Sequence, residues 1–372
     1  MRSSFFLICV ILLVAFALSV LQATTVPNEQ IDLETYKIMQ TIAKDSVNGN
    51  YSSRKVYYCS AKNGELNKNN KKLVFHTLLN SQSKLIELQE YSLNNTLKCK
   101  QIYAYDNFGK IVEICYYKSD GSKTQRTSYQ FGSKGHQTGI LTYNSDDSLI
   151  ESSTYNYNDK GIIIDHCLYY SGYYEKCSPY YFKILYQYDD KNQNIQEQSY
   201  NSSDSSTMRT TYKYDNNGNI TEERHYDISG LLSCKATYRY DSYGHNTEEC
   251  NFNRDSLTQK IIFHYDSLGN IMEKQDYKSD NSLNTKTIYK YDNKSKLTEW
   301  CYYFSNGVLH QKTSFKYDLE GNRIEELNEF FNKGNLSLRL GTCYKYDKFK
   351  NLIERSTFAN NKLTSCIIIE YN

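Results

Sequence analysis

Thr211-Tyr212-Lys213-Tyr214-Asp215-Asn216-Asn217-Gly218-Asn219-Ile220-Thr221-Glu222-Glu223-Arg224-His225-Tyr226 is the stretch whose reading decides the fold. Its first four residues alternate polar and aromatic, the period of a strand with one buried face. Asp215 to Gly218 then supplies turn chemistry, with glycine where a tight reversal needs a positive φ. From Asn219 the chain alternates again up to Tyr226, and Asp227-Ile228-Ser229-Gly230 turns it back a second time. Two strands and two tight turns therefore form one unit of an antiparallel meander.

The unit recurs. Full Tyr-Asp-x-x-Gly copies start at Tyr105, Tyr214, Tyr240, Tyr265 and Tyr317, with Asn for Asp at Tyr157. Looser copies start at Phe131, Tyr188, Tyr291, Tyr346 and Tyr371, and phase is kept back to about Leu79. Successive copies lie 25 or 26 residues apart, except for 31 after Tyr157 and 29 after Tyr317. A fixed period of this kind marks an array of one supersecondary unit. The expected fold is all-β: an elongated or spiralling antiparallel meander of about eleven two-strand repeats of ~26 residues, with a short N-terminal helix. Only 2 prolines in 372 residues fit strands with a neighbour on each side.

Counting phase from the motif tyrosine puts even offsets on one face. Tyr103, Tyr129, Tyr155, Tyr186, Tyr212, Tyr238, Phe263 and Tyr289 sit two residues before it, and Tyr117, Tyr143, Tyr169 and Tyr226 twelve after. Eight after it comes a recurrent acid, as at Glu222, Glu248, Glu273, Glu299 and Glu325. Continuous alternation would place Glu222 opposite Tyr212 and join these acids into a row along the tyrosine face. Lys213, Arg239, Lys290, Lys316 and Lys345 fall on the other, solvated face.

The N-terminus reads differently. Arg2 precedes an apolar run from Phe5 to Leu21, with small residues before the end of a 1–23 secretory signal; an uncleaved anchor is the alternative. Residues 24–50 then hold a linker and a helix on which Leu33, Tyr36, Met39, Ile42 and Ala43 share a face, with Asn28 as expected N-cap. That helix is expected to cover the open edge of the array, residues 51–372. Ten cysteines follow Cys9, an even number for an oxidising compartment. Cys167 and Cys177 flank Ser171-Gly172, so a hairpin there would set them up for a disulfide. Six Asn-x-Ser/Thr sequons begin at Asn50, Asn94, Asn201, Asn219, Asn293 and Asn335.

The motif resembles the YD repeat of the Rhs family, shared with insecticidal toxin complex shells and teneurins. The resemblance rests on Tyr-x-Tyr-Asp-x-x-Gly-Asn, as at Tyr212 to Asn219, and covers roughly residues 75–372. It implies a coiled β shell and a surface suited to carbohydrate or protein contact. Departures from the large members are a shorter chain, a longer repeat, and no proline- and glycine-rich core or effector domain, so enclosure of a toxin is not implied.

Functional expectations follow from what the chain carries. A formal charge of +2 gives no pull toward nucleic acid or an anionic membrane. No Cys-x-x-Cys or Cys/His spacing for zinc occurs, nor a nucleophile elbow, phosphate loop or HExxH, so neither metal nor cofactor is expected. Near-equivalent copies of one acid suit a binding surface better than a catalytic pair. The expectation is a secreted or cell-surface, non-catalytic protein without stable membrane insertion once its signal is cleaved. It binds a cell-surface glycan or protein through Tyr212, Tyr238, Tyr289 and the acids Glu222, Glu248, Glu273, Glu299 and Glu325. An envelope or adhesion spacer and a polysaccharide hydrolase are the alternatives.

Overall fold

The computed structural model describes residues 31–62, 64–172, 179–201 and 205–372. Their strands form one antiparallel meander in which each strand pairs with the next. The first strand, Ser53–Lys62, also pairs with the last, Lys362–Tyr371, from Arg54 opposite Tyr371 to Ser60 opposite Ser365. Ser53 and Asn372 exchange both backbone hydrogen bonds at 3.0 Å. The result is a closed barrel of 24 strands, plus the two-residue strand Glu65–Leu66, which folds back on the end of the first. The antiparallel all-β meander is as expected, but its closure corrects the elongated or spiralling array of about eleven units. Ladders between hairpins are as continuous as those within them, so among the described residues no repeat is a separate body and the 24-strand sheet closes on itself.

The turns explain the period. Asp215 Oδ1 accepts from the backbone N–H of Asn217 and of Asn219, each at 2.9 Å. The Asp215 N–H donates to the Asn219 carbonyl at 2.9 Å. Gly218 takes φ +88° there, a conformation that costs side-chain-bearing residues about 1–2 kcal/mol.

Each such turn is followed by a β-bulge. Lys213 lies opposite Glu222, but Tyr214 lies opposite Ile220, leaving Thr221 as the extra residue. The same shift occurs before Tyr105, Tyr188, Tyr240, Tyr265, Tyr291, Tyr317 and Tyr346. One extra residue moves every later side chain of the return strand to the opposite face. Motif tyrosines sit at this bulge and tie consecutive hairpins together. The Tyr214 hydroxyl donates to the Asn194 carbonyl at 2.6 Å, and that of Tyr240 to Ile220 at 2.8 Å. Equivalent bonds run from Tyr105, Tyr157, Tyr188, Tyr265, Tyr291, Tyr317, Tyr346 and Tyr371.

The helix, α1 (Leu33–Lys44), is capped by Asp32, whose carboxylate accepts from the Thr35 N–H at 2.8 Å. The expected cap Asn28 and the 1–23 signal lie outside the described residues. Nor does α1 cover an edge. It lies on one face of the sheet, where Met39, Ile42 and Ala43 pack against Val56, Val74, Phe75, Leu88, Tyr103, Ile114, Ile367 and Ile369. Its C-terminal Ala43 carbonyl accepts from the buried Arg54 guanidinium and, at 2.9 Å, from the Thr77 hydroxyl. The face that holds α1 also holds most of the buried wall residues, among them Tyr212, Glu223, Ala236, Ile261 and Thr313. A curved wall crowds side chains on its concave side, so this face is the lumen. On the other face the Lys213, Arg239, Lys290, Lys316 and Lys345 side chains are 62–78% exposed.

Candidate functional site

The bulge decides where the expected site residues go. Glu222 faces Lys213, not Tyr212, and lies on the outer wall. Its carboxylate is held by Lys213 Nζ at 2.8 Å and Arg224 Nε at 2.9 Å. Glu248 pairs with Arg239 at 3.3 Å and Lys260 at 2.9 Å. Glu273 pairs with Lys286 at 3.5 Å, Glu299 with Lys290 and Lys312 at 2.7 Å each, and Glu325 with Lys316 at 3.0 Å. The acid row is therefore a neutralised lattice of ion pairs on the outside. Burial works against the charge on Glu222, but hydrogen bonds from Lys213 and Arg224 outweigh it and hold its carboxyl below the ordinary value. Hydrogen bonds from Lys290 and Lys312 do the same for Glu299.

The aromatics twelve residues after the motif also go to the outer wall, contrary to a single tyrosine face. Tyr226 lies opposite Arg209, whose guanidinium stands 4.3 Å from the ring centre; Arg126 covers Tyr143 at 4.1 Å in the same way. Such stacks shield the stems of both partners from water.

The expected tyrosines stay on the inner wall and meet different acids. Tyr212 lies opposite Glu223 and Tyr238 opposite Glu249, while Tyr289 faces Trp300. One hairpin earlier, Tyr186 faces Glu197. These pairs interlock: Tyr212 favours the charged form of Glu197, and Glu223 favours the protonated form of Tyr238. Asn194 Nδ2 donates to Glu197 at 2.9 Å, His225 Nε2 lies 3.0 Å from Glu223, and Asn251 Nδ2 donates to Glu249 at 2.9 Å. The three carboxylates stand on alternate strands, about 9–10 Å apart. Burial raises Glu197 above the ordinary carboxylate range, with the nearby Glu223 charge adding to it. Burial likewise raises Tyr238, joined by the charges of Glu223 and Glu249.

Glu197, Glu223 and Glu249 are the residues that phase counting missed. The acid doublets Glu222-Glu223 and Glu248-Glu249 hold the signal: one member serves each wall. Of the expected disulfide pair, Cys167 lies opposite Lys183, and Cys177 lies outside the described residues. The His136 and His245 rings stack on the next motif tyrosines, Tyr157 at 5.0 Å and Tyr265 at 4.8 Å. Among the described residues, no three His, Cys, Asp or Glu side chains converge to hold a metal ion, and no helix is long and apolar enough to cross a membrane.

A family model described only as "Uncharacterised protein" matches residues 229–342. No curated protein matches the chain. Among solved structures it is similar to TcdB2-TccC3-TEV, with 11% identity and a TM-score of 0.44 over 84% of this chain and 19% of that one. It is also similar to a Photorhabdus luminescens Tc holotoxin pore, at 12% identity and a TM-score of 0.35 over 81% of this chain and 19% of that one. A porin-like protein from Bacteroides uniformis is 7% identical, with a TM-score of 0.27 over 88% and 99% of the two chains. The chain thus spans about a fifth of the length of the Tc chains it matches.

Proposed function

We propose that this chain is an exported, non-catalytic barrel of the YD-repeat kind that binds a glycan along its inner wall. One observation carries the reading: three consecutive hairpins repeat a phenol beside a carboxylate, Tyr186 with Glu197, Tyr212 with Glu223 and Tyr238 with Glu249. Carboxylates accept hydrogen bonds from sugar hydroxyls, and tyrosine pairs apolar ring area with a hydroxyl. Equal spacing suits a ligand that is itself a repeating chain.

The site also moves the binding acids expected from the sequence. Glu222, Glu248, Glu273, Glu299 and Glu325 serve the outer lattice, and Glu197, Glu223 and Glu249 take the contacts with sugar. Ion pairs occupy the outer wall where a lipid-spanning barrel carries apolar side chains, which supports a protein outside the bilayer, in the cell envelope or secreted. Glycan-array binding of the whole chain and of an E197Q/E223Q/E249Q variant tests the reading. The expected result is a polysaccharide bound by the first and released by the second. No bound glycan would favour a structural spacer instead, and depolymerisation of a bound glycan would favour a hydrolase.

A further inference from the structure

The barrel closes at a seam whose two strands are more than 300 residues apart in the chain. At that seam Cys59 lies directly opposite Cys366. Both thiols are buried, at 2% and 1% exposure, on the outer wall beneath the segment that follows the first strand. Lys68 from that segment bonds Glu354 at 2.6 Å, and Lys71 bonds Glu370 and stands 4.2 Å from the Tyr57 ring centre. Beside the pair, the Ser356 hydroxyl donates to Cys366 Sγ at 3.5 Å.

Register gives the geometry. Ser53 and Asn372 exchange both backbone bonds, and the ladder runs without a shift to Cys59 and Cys366 six residues on. Since hydrogen-bonded pairs alternate, these two cysteines also form one, with Cα atoms about 5.5 Å apart. A disulfide spans Cα separations of roughly 4.4–6.8 Å and Cβ separations of about 3.5–4.5 Å, so this pair of free thiols meets the first and reaches the second by drawing its Cβ atoms in by about 1 Å. We propose that Cys59 and Cys366 form a cross-strand disulfide that locks the first strand to the last and fixes the barrel shut.

The chemistry balances through a disulfide oxidant such as oxidised glutathione or a protein dithiol oxidase. Each cysteine gives up its S–H bond, one S–S bond forms, and the oxidant's disulfide is reduced to two thiols that take both protons and both electrons. Exchange needs a thiolate and access to it. In the closed barrel burial pushes the Cys59 thiol up to about 11, and the Glu65–Lys71 segment covers it. The bond therefore forms while the two terminal strands are still coming together, and closure then shields it from reductants.

Oxidative refolding of the full chain with oxidised and reduced glutathione tests this. Remaining thiols are alkylated in denaturant and the digest is read by mass spectrometry without reduction. The expected product is a Cys59-peptide joined to a Cys366-peptide. Alkylation of both residues in the folded barrel would overturn the proposal. Equilibrium unfolding of wild type and C59A/C366A, each with and without reductant, is the second readout. Reductant is expected to lower the denaturant midpoint of wild type alone; equal shifts in both proteins, or none in either, would overturn the lock.

Discussion

The Tyr240 hydroxyl donates to the Ile220 carbonyl at 2.8 Å, reaching across to the first residue of the preceding hairpin's return strand. Ile220 is where the ladder slips, opposite Tyr214 and one residue out of step with Glu222. The motif tyrosine thus donates to a backbone carbonyl at the place where its own turn's predecessor interrupts strand pairing. This role, repeated around the barrel, makes the tyrosine a clasp between hairpins.

Tyr240→Phe keeps the ring and removes the donor. It is expected to cost about 0.5–1.5 kcal/mol, the net worth of one hydrogen bond. Tyr214→Phe and Tyr317→Phe should give similar losses, because their hydroxyls make equivalent bonds at 2.6 and 2.8 Å. Urea denaturation followed by circular dichroism checks all three.

Some looser copies put a side chain where the full motif has glycine. Ser295 sits at φ +58° and Lys350 at φ +69°. Ser295→Gly and Lys350→Gly are expected to relieve left-handed strain and raise stability by up to ~1 kcal/mol, less what glycine's added freedom in the unfolded chain takes back. Gly230→Ala should do the reverse by about 1 kcal/mol: its φ is +78° and no atom lies within 4 Å of an added methyl, so only backbone strain acts. Thermal melts of the three variants give the signs directly.

Glu197 and Glu299 are expected to shape the pH profile in opposite senses. Burial raises Glu197 in the folded barrel, so folding favours its proton. The stability it contributes is present at low pH and is lost as pH rises from the ordinary carboxylate value through the raised one. Lys290 and Lys312 lower Glu299, so its contribution is present above the ordinary value and is lost as pH falls through the lowered one. Relative to wild type, E197Q should gain stability with rising pH and E299Q should lose it. Unfolding midpoints measured across the acid range to neutrality test both slopes.

Met39 is fully buried between α1 and the inner wall. Met39→Ala is expected to destabilise by about 2–5 kcal/mol. Lys213→Ala, by contrast, removes a 66%-exposed partner of Glu222 and should cost no more than about 1 kcal/mol. Denaturant titration of the pair shows whether the anchored helix outweighs an outer ion pair.

The sequence shows local matters well and distant ones poorly. Asp215 and Gly218 announce their turn, and the Tyr-x-Tyr pattern before it announces a strand, because each acts within a few residues. The bulge is silent: Thr221 is an ordinary strand residue, and nothing in it says that Glu222 will face out and Glu223 in. That single slip exchanged the two members of each acid doublet. Closure is silent for another reason. Arg54 to Ser60 and Ser365 to Tyr371 alternate as any neighbouring strands would, so their match to each other leaves no separate mark. Cap placement at Asp32 needed the packing of Met39 and Ala43 to settle which turn comes first.

Site-resolved amide hydrogen exchange of the terminal strands tests the closed barrel most directly. In the seam ladder the Lys55, Tyr57 and Cys59 amides point toward the last strand, and those of Glu370, Ile368 and Cys366 point back. Closure predicts that these six exchange as slowly as the ladder amides of Ser206–Tyr214 in mid-sheet. Fast exchange confined to these six, with the amides facing the inner neighbours protected, would mean two free edges and an open array.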